Sequence, residues 1–401
     1  MFMGGMPELM ENIFKNLSKE FYSLYSCALI QGWIKLELEN EYSYSDSDSE
    51  SESESDSDSD SDSDLDSCSY YNESINRVTN SLIKLFVERG ATLYKLDLRN
   101  YHNEIDLGHN KEFFSRLQDL SLDESHDDKY FRNLAKHATK ISVLSFEFCS
   151  YPFYYSRKLK LFYALTSIIK SQKQLRRFKI VGDEYEYHTP IFTKFHGIIS
   201  SLDSQKSSLQ EVIIERCAHS TEFEALNNCK NLEILQSEVE MLKEPALLEA
   251  FESFGANIIY LNISKIEISK QLVELIGNLQ KLQFFTLRCN ENMQREKEPE
   301  LQVMRFASRL PLTLQYLDLR GIWIKPYIDS LLNYCNASLK KLLIDSLHEE
   351  KNAKALIEFC KRKRTLKYVG LLERSCLDDN IRNELENYIT LLPLESIVVD
   401  C

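Results

Sequence analysis

Twelve six-residue segments of this chain repeat one pattern, apolar-x-x-apolar-x-apolar, and nothing else in the sequence restricts the fold as strongly. They read "LYKLDL" from Leu93, "LQDLSL" from Leu117, "ISVLSF" from Ile141, "LRRFKI" from Leu175, "LQEVII" from Leu209 and "LEILQS" from Leu232. The series continues with "IIYLNI" from Ile258, "LQFFTL" from Leu282, "LQYLDL" from Leu314, "LKKLLI" from Leu339, "LKYVGL" from Leu366 and "LESIVV" from Leu394. Only Ser237 breaks the pattern, at the third apolar place of the sixth segment. Successive starts lie 23 to 34 residues apart, mostly 24 to 28. Chance alternation of apolar residues does not recur twelve times at nearly regular intervals. Each segment predicts a strand with alternate side chains buried.

Between the segments the spacing becomes helical, as in "DDKYFRNLAKHA", "LKLFYALTSIIKS", "SKQLVELIGNL", "IDSLLNYC" and "NAKALIEFCKR". A strand followed by a helix at this period resembles the leucine-rich repeat. The resemblance covers residues 90 to 401 and implies an α/β solenoid domain over residues 70–401. Cys149 and Cys217 stand where that family's motif carries Asn or Cys, three places after Phe146 and Ile214. The two 34-residue intervals predict lengthened helices or loops. Parallel strands sit about 4.8 Å apart while packed helices need about 10 Å, so stacked strand–helix units splay outward. The expected result is a horseshoe with parallel strands on its concave face and helices outside.

Upstream of the repeats the composition changes abruptly. From Asp46 to Asp66 every second residue is acidic, eleven in all, and from Ser45 to Asp64 no residue is apolar. Like charges that bury nothing cannot offset the entropy of ordering, so residues 41–69 are expected to be a disordered acidic linker. Each Ser from Ser45 to Ser61 has an acid three residues downstream, a pattern suited to acidophilic kinases. The formal net charge of −14 is mostly this run; without it 51 acidic residues face 48 basic ones. The remainder is nearly neutral, and its global charge does not point to nucleic acid.

The first residues show no basic start followed by an apolar stretch, and nowhere do about 18 apolar residues run together. Neither a signal peptide nor a membrane span is expected. Ten scattered cysteines form no CxxC pair and read as small buried apolar residues in a reducing compartment. The expected location is therefore cytoplasmic, with "KRKR" at Lys361 to Arg364 leaving nuclear entry open. The same cluster also reads as the solvated end of a helix, where cations suit the dipole.

Residues 1–40 form a separate apolar module. Pro7 suits a first helical turn, Glu8 and Glu11 complement the N-terminal dipole, and Leu9, Ile13, Phe14 and Leu17 share one face. A second helix is predicted from about Phe21 through Leu24 to Trp33. So small a module buries little surface alone and is expected to lean on a partner.

The stretch "MPELMENIFKNLSKEFYSLYSCALIQGW" resembles an F-box, whose pattern begins L-P-x-E-L-L and continues I-F-x-x-L to a closing tryptophan. Met6 stands where Leu is usual, and Ile30 lies three residues before Trp33 where the family's valine is usually four before. An F-box followed by leucine-rich repeats implies the substrate-recognition subunit of an SCF-type E3 ubiquitin ligase. The resemblance implies that Pro7, Leu9, Ile13, Phe14, Leu17, Leu24 and Trp33 bind the Skp-type adaptor, which joins a cullin, while the repeats bind the target protein. A ubiquitin-independent repeat scaffold is the alternative.

No nucleotide-cradling, nucleophile-elbow or H-E-x-x-H motif is present, so no catalytic, cofactor or metal site is expected. The candidate substrate site is a column of aromatics, Tyr260, Phe284 and Tyr316, expected to be exposed at the third motif position. A second column, expected two strand places onward, runs Asp123, Glu147, Glu215, Glu238, Arg288 and Arg320. Exposed rings beside two arginines suit an apolar target segment flanked by acids or phosphates. Cross-strand packing is the plainer reading of those rings.

Overall fold

The computed structural model describes residues 93–99, 111–124, 128–148, 155–182, 195–218, 220–240, 257–266, 268–289, 298–347, 349–371 and 379–398. The F-box-like segment (1–40) and the acidic linker (41–69) lie outside the described residues.

At eleven of the twelve predicted places a strand begins on the third position of its apolar segment. These are β1 Lys95–Asp97, β2 Asp119–Asp123, β3 Val143–Glu147, β4 Arg177–Val181, β5 Glu211–Ala218, β6 Ile234–Glu240, β7 Tyr260–Ile266, β8 Phe284–Cys289, β9 Tyr316–Asp318, β10 Lys341–Ile344 and β11 Tyr368–Leu371. A twelfth strand, β12, spans Thr390–Pro393. All twelve pair in sequence order into one parallel sheet. Parallel neighbours require a crossover. Helices supply it: α1 Lys111–Phe114, α2 Asp128–His137, α3 Tyr155–Ser171, α4 Ile198–Ser201, α5 Lys270–Asn278, α6 Pro299–Arg309, α7 Ile328–Tyr334, α8 Glu350–Lys363 and α9 Asp379–Glu386. Shorter 3-10 turns, Leu202–Gln205 and Thr221–Asn228, serve between β4 and β6. The chain is thus a mixed α/β protein built on a twelve-stranded parallel sheet. The 34-residue interval from Ile141 to Leu175 is filled by α3, 17 residues long.

The register holds each motif position in line with its neighbours. Leu120 pairs with Leu144, Phe178 with Val212, and Leu317 with Leu342. These residues, with the first and sixth motif positions, point toward the helices and are buried; Leu117, Leu120 and Leu122 are wholly so. Phe131 and Leu134 of α2, Ile168 of α3, Leu275 of α5 and Phe306 of α6 complete the same continuous core. The helix periodicity thus places its apolar stripe on the strands' buried face.

One predicted strand is displaced. "LESIVV" is not strand: β12 lies earlier, at Thr390–Pro393, and Leu394–Ser396 form a 3-10 turn. Register explains the shift, because Tyr368 pairs with Thr390 and Leu371 with Pro393. Pro393 has no N–H for further pairing, and the chain turns away there.

Two glutamines stitch repeats together where most motifs lack the Asn. Gln172, buried after α3, accepts from Ile141 N at 2.9 Å and donates to Ala138 O at 2.9 Å and Ile168 O at 2.8 Å. Gln205 does the same one repeat later, accepting from Leu175 N at 3.2 Å and donating to Ile169 O and Gln172 O at 3.0 Å each. Each side chain satisfies the N–H of a first motif residue, two places before the strand, and loose carbonyls at or just beyond a helix end.

The basic cluster serves a neighbouring helix. Arg362 donates to Leu332 O at 2.6 Å and Asn333 O at 2.9 Å, and Lys363 to Asn336 O at 2.9 Å, so cations of α8 cap the C-terminal carbonyls of α7. Arg364 closes α8 in the left-handed region, at φ 52°. Among the described residues no helix is long and apolar enough to cross a membrane.

Candidate functional site

The helices cover one face of the sheet, and the third and fifth motif positions project from the other. That second face divides into two chemical halves. Over β1 to β6 it is ionic. Lys95 pairs with Asp119 at 2.8 Å, Arg177 pairs with Glu211, and Lys179 pairs with Glu215 at 3.1 Å. Gln236 adds a hydrogen bond to Glu215 at 3.0 Å, while Arg99 and Arg216 approach Glu147 at 3.6 and 3.8 Å. In the first three pairs opposite charges stand on adjacent strands, the favourable cross-strand arrangement, while Glu147 of β3 is approached from the end of β1 and from β5.

Over β7 to β9 the third position of this face is aromatic while Asn262, Thr286 and Asp318 keep the fifth polar, and over β10 to β12 the fifth becomes Leu343, Gly370 and Leu392. The predicted aromatic column exists: ring centroids lie 6.5 Å apart from Tyr260 to Phe284 and 6.2 Å from Phe284 to Tyr316, both tilted. These spacings are within the favourable range for aromatic pairs. Its expected exposure does not hold, since Tyr260 is 4% and Tyr316 only 1% exposed, with Phe284 half-buried. For Tyr316 the cause is visible. Leu343 of β10 packs beside it, and Leu394 and Ile397 lie over both as a second apolar cluster distinct from the main core. Phe284, Leu392 and Val398 border that cluster.

The second column holds in register, with Asp123 opposite Glu147 and Glu215 opposite Glu238. Arg288 and Arg320 lie four residues beyond Phe284 and Tyr316, which themselves pair across β8 and β9. Arg288 is exposed. Arg320 is engaged: its Nε and Nη2 reach Asp318 Oδ1 and Oδ2 at 2.9 and 2.6 Å, and Asp318 is fully buried. Hydrogen bonds to Asp318 raise Arg320 above the ordinary guanidinium value. The first segment, "KLDLR", builds the same fork between Arg99 and Asp97, at 3.0 and 2.6 Å. There burial pushes the Asp97 carboxyl up, and Arg99 more than offsets it, leaving the group below its usual value. In both repeats the arginine straps its own strand end. Asp123 is fully buried, and the side chain of Glu238 lies outside the described residues.

Cys217 is buried, and its thiol donates to Glu215 O at 3.1 Å; burial pushes its pKa up to about 12. Cys149 lies outside the described residues, as do Pro7, Leu9, Ile13, Phe14, Leu17, Leu24 and Trp33. Among the described residues no group of three or more His, Cys, Asp or Glu side chains could hold a metal ion.

Sequence reasoning missed Leu343, Gly370, Leu392, Leu394 and Ile397. A signal was present at the fifth motif position, which holds Asp97, Ser121, Ser145, Lys179, Gln236, Asn262, Thr286 and Asp318 in earlier repeats, with Ile213 the apolar exception, but Leu343 and Gly370 in the tenth and eleventh; Leu392 takes that place only through the register of β12. Loss of polarity at an outward position marks a covered surface. Neither a family model nor a curated protein matches the chain.

Proposed function

We propose that this protein is the substrate-recognition subunit of an SCF-type E3 ubiquitin ligase. Residues 6–33 bind the Skp-type adaptor that joins the cullin, and a leucine-rich-repeat horseshoe over residues 70–401 holds the target. The carrying observation is the F-box pattern from Pro7 to Trp33 preceding a twelve-stranded parallel sheet in sequence order. Sequential parallel strands with helical crossovers at this period support the leucine-rich-repeat reading. The target site in this reading is the concave face at β7 to β10, with Phe284 and Arg288 accessible and Tyr260, Tyr316 and Arg320 fixing its floor. Such a subunit performs no bond chemistry and acts by raising the target's effective concentration near a ubiquitin-loaded enzyme.

The test is capture of a purified Skp-type adaptor by the full chain and by a Leu9→Ala, Ile13→Ala double variant. Buried apolar anchors dominate such interfaces, so the variant should lose several kcal/mol, about a thousandfold in affinity. Undiminished capture by a folded variant would reject the F-box reading. No capture by the native chain would leave the ubiquitin-independent scaffold in its place.

A further inference from the structure

Beyond β12 the chain folds back across the face it has just helped to build. Leu394, Ile397 and Val398 sit over Tyr316, Leu343, Phe284 and Leu392, spanning β8 to β12. Gly370 makes the opening. A Cβ at that position would lie 2.7 Å from Ile397 Cδ1 and 3.1 Å from Leu394 Cδ2, so the two side chains rest against bare β11 backbone. What holds this segment is narrow. Ile397 N and Val398 N both donate to Leu394 O, at 3.0 and 3.1 Å, within the segment's own turn. Among the described residues, no hydrogen bond from Leu394, Ile397 or Val398 reaches the strands beneath, and Pro393 has ended the ladder. Three apolar side chains at i, i+3 and i+4, carried by a 3-10 turn and the two residues after it, occupy an apolar groove, which is how short amphipathic segments dock in trans. Half-buried Lys341 pairs in register with Tyr316, exposed Arg288 stands four residues beyond Phe284 on β8, and neither makes an ion pair with a described residue.

We propose that this groove is the docking site for a partner protein segment, and that residues 394–398 occupy it as a displaceable stand-in. The partner presents Leu- or Ile-type side chains at i, i+3 and i+4 of one turn, and carries acidic residues beside them to meet Arg288 and Lys341. The proposal does not depend on adaptor binding. It holds for a ligase receptor and for a scaffold alike, and the adaptor experiment can fail without touching it.

The experiment opens the groove and offers it a ligand. A full-length Leu394→Asp, Ile397→Asp variant removes the stand-in from apolar surroundings while leaving Tyr316, Leu343 and Gly370 intact. The probe is a fluorescein-labelled peptide of residues 393–398, Pro-Leu-Glu-Ser-Ile-Val, with two aspartates or two lysines added at each end. Fluorescence anisotropy should show the opened variant binding the aspartate-flanked peptide at least about tenfold more tightly than the native chain does. The lysine-flanked peptide should bind more weakly. Adding Leu343→Asp, or in a separate variant Gly370→Val, should abolish binding. Three results overturn the proposal: a folded opened variant that binds no better than the native chain, equal binding of both peptides, or binding that survives both blocking changes. Loss of cooperative thermal unfolding in the opened variant overturns it as well, because the segment would then be an integral part of the fold rather than a replaceable occupant.

Discussion

Gly182 and Arg216 stand so close that a Cβ on Gly182 would lie 1.9 Å from the Arg216 carbonyl oxygen. Arg216 adopts φ 53° inside β5, where the pairing with β6 shifts register between Glu215 and Cys217. The extra residue pushes β5 backbone onto the end of β4, and Gly182 N donates to Glu215 O at 2.8 Å.

Gly182→Ala is therefore expected to force the two backbones apart. Rigid main chain cannot yield as a side chain does, so the loss should be about 3 kcal/mol, at the upper end for overpacking. Urea unfolding of the purified chain measures it. A midpoint unchanged within error would show that the bulge is not closely held.

Gln172→Leu keeps the volume and deletes four hydrogen bonds, leaving the Ile141 N–H and Ala138 carbonyl buried without this partner. The expected cost is about 2–3 kcal/mol, the penalty of stranded polar groups rather than of a lost contact. Hydrogen exchange adds a local readout: the Ile141 amide should lose protection before those of distant strands.

Replacing Arg362 tests the capping of α7. Arg362→Ala removes a cation and its bonds to the Leu332 and Asn333 carbonyls, and should cost about 1–2 kcal/mol. Arg362→Lys keeps the charge without the fork and should recover part of the loss. Equal stability of all three proteins would mean that water caps the helix as well.

Burial pushes the thiols of Cys217 up to about 12 and of Cys229, Cys335 and Cys360 up to about 11, from an ordinary value of 9.0. Because the folded values are raised, these groups contribute stability that is fully present below pH 9. That contribution is lost as pH rises from about 9 toward 11 and 12, where the unfolded chain releases protons the native chain retains. Two measurements follow: at pH 8 iodoacetamide should label these four cysteines only after denaturant is added, and the unfolding midpoint should fall as pH is raised above 9. Rapid labelling of the native chain would contradict their burial.

Strand positions were legible because the burial period of a strand is two residues and that of a helix 3.6, and both survive in a linear string. The predicted starts from Leu93 to Leu366 each place a strand two residues later. "LESIVV" misled for the same reason. Leu394, Ile397 and Val398 satisfy a covering turn as readily as Leu394, Ile397 and Val399 satisfy a strand motif, and pattern alone does not separate the two. The aromatic column was legible as a column, since residues at equal motif positions pair across parallel strands. Its exposure was not.

By itself the sequence determined which residues turn inward, that strands and helices alternate, and that the strands lie side by side in order. Local periodicity carries those features. Only the tertiary structure decided that Pro393 ends the sheet, that Gly370 accepts Ile397, that Tyr316 is covered, and that Arg320 is spent on Asp318. Each of these depends on a meeting between residues of different repeats or on the side-chain conformation at a strand end. Contacts of that kind are chosen by packing and register in three dimensions, and they leave no period in the chain to be read.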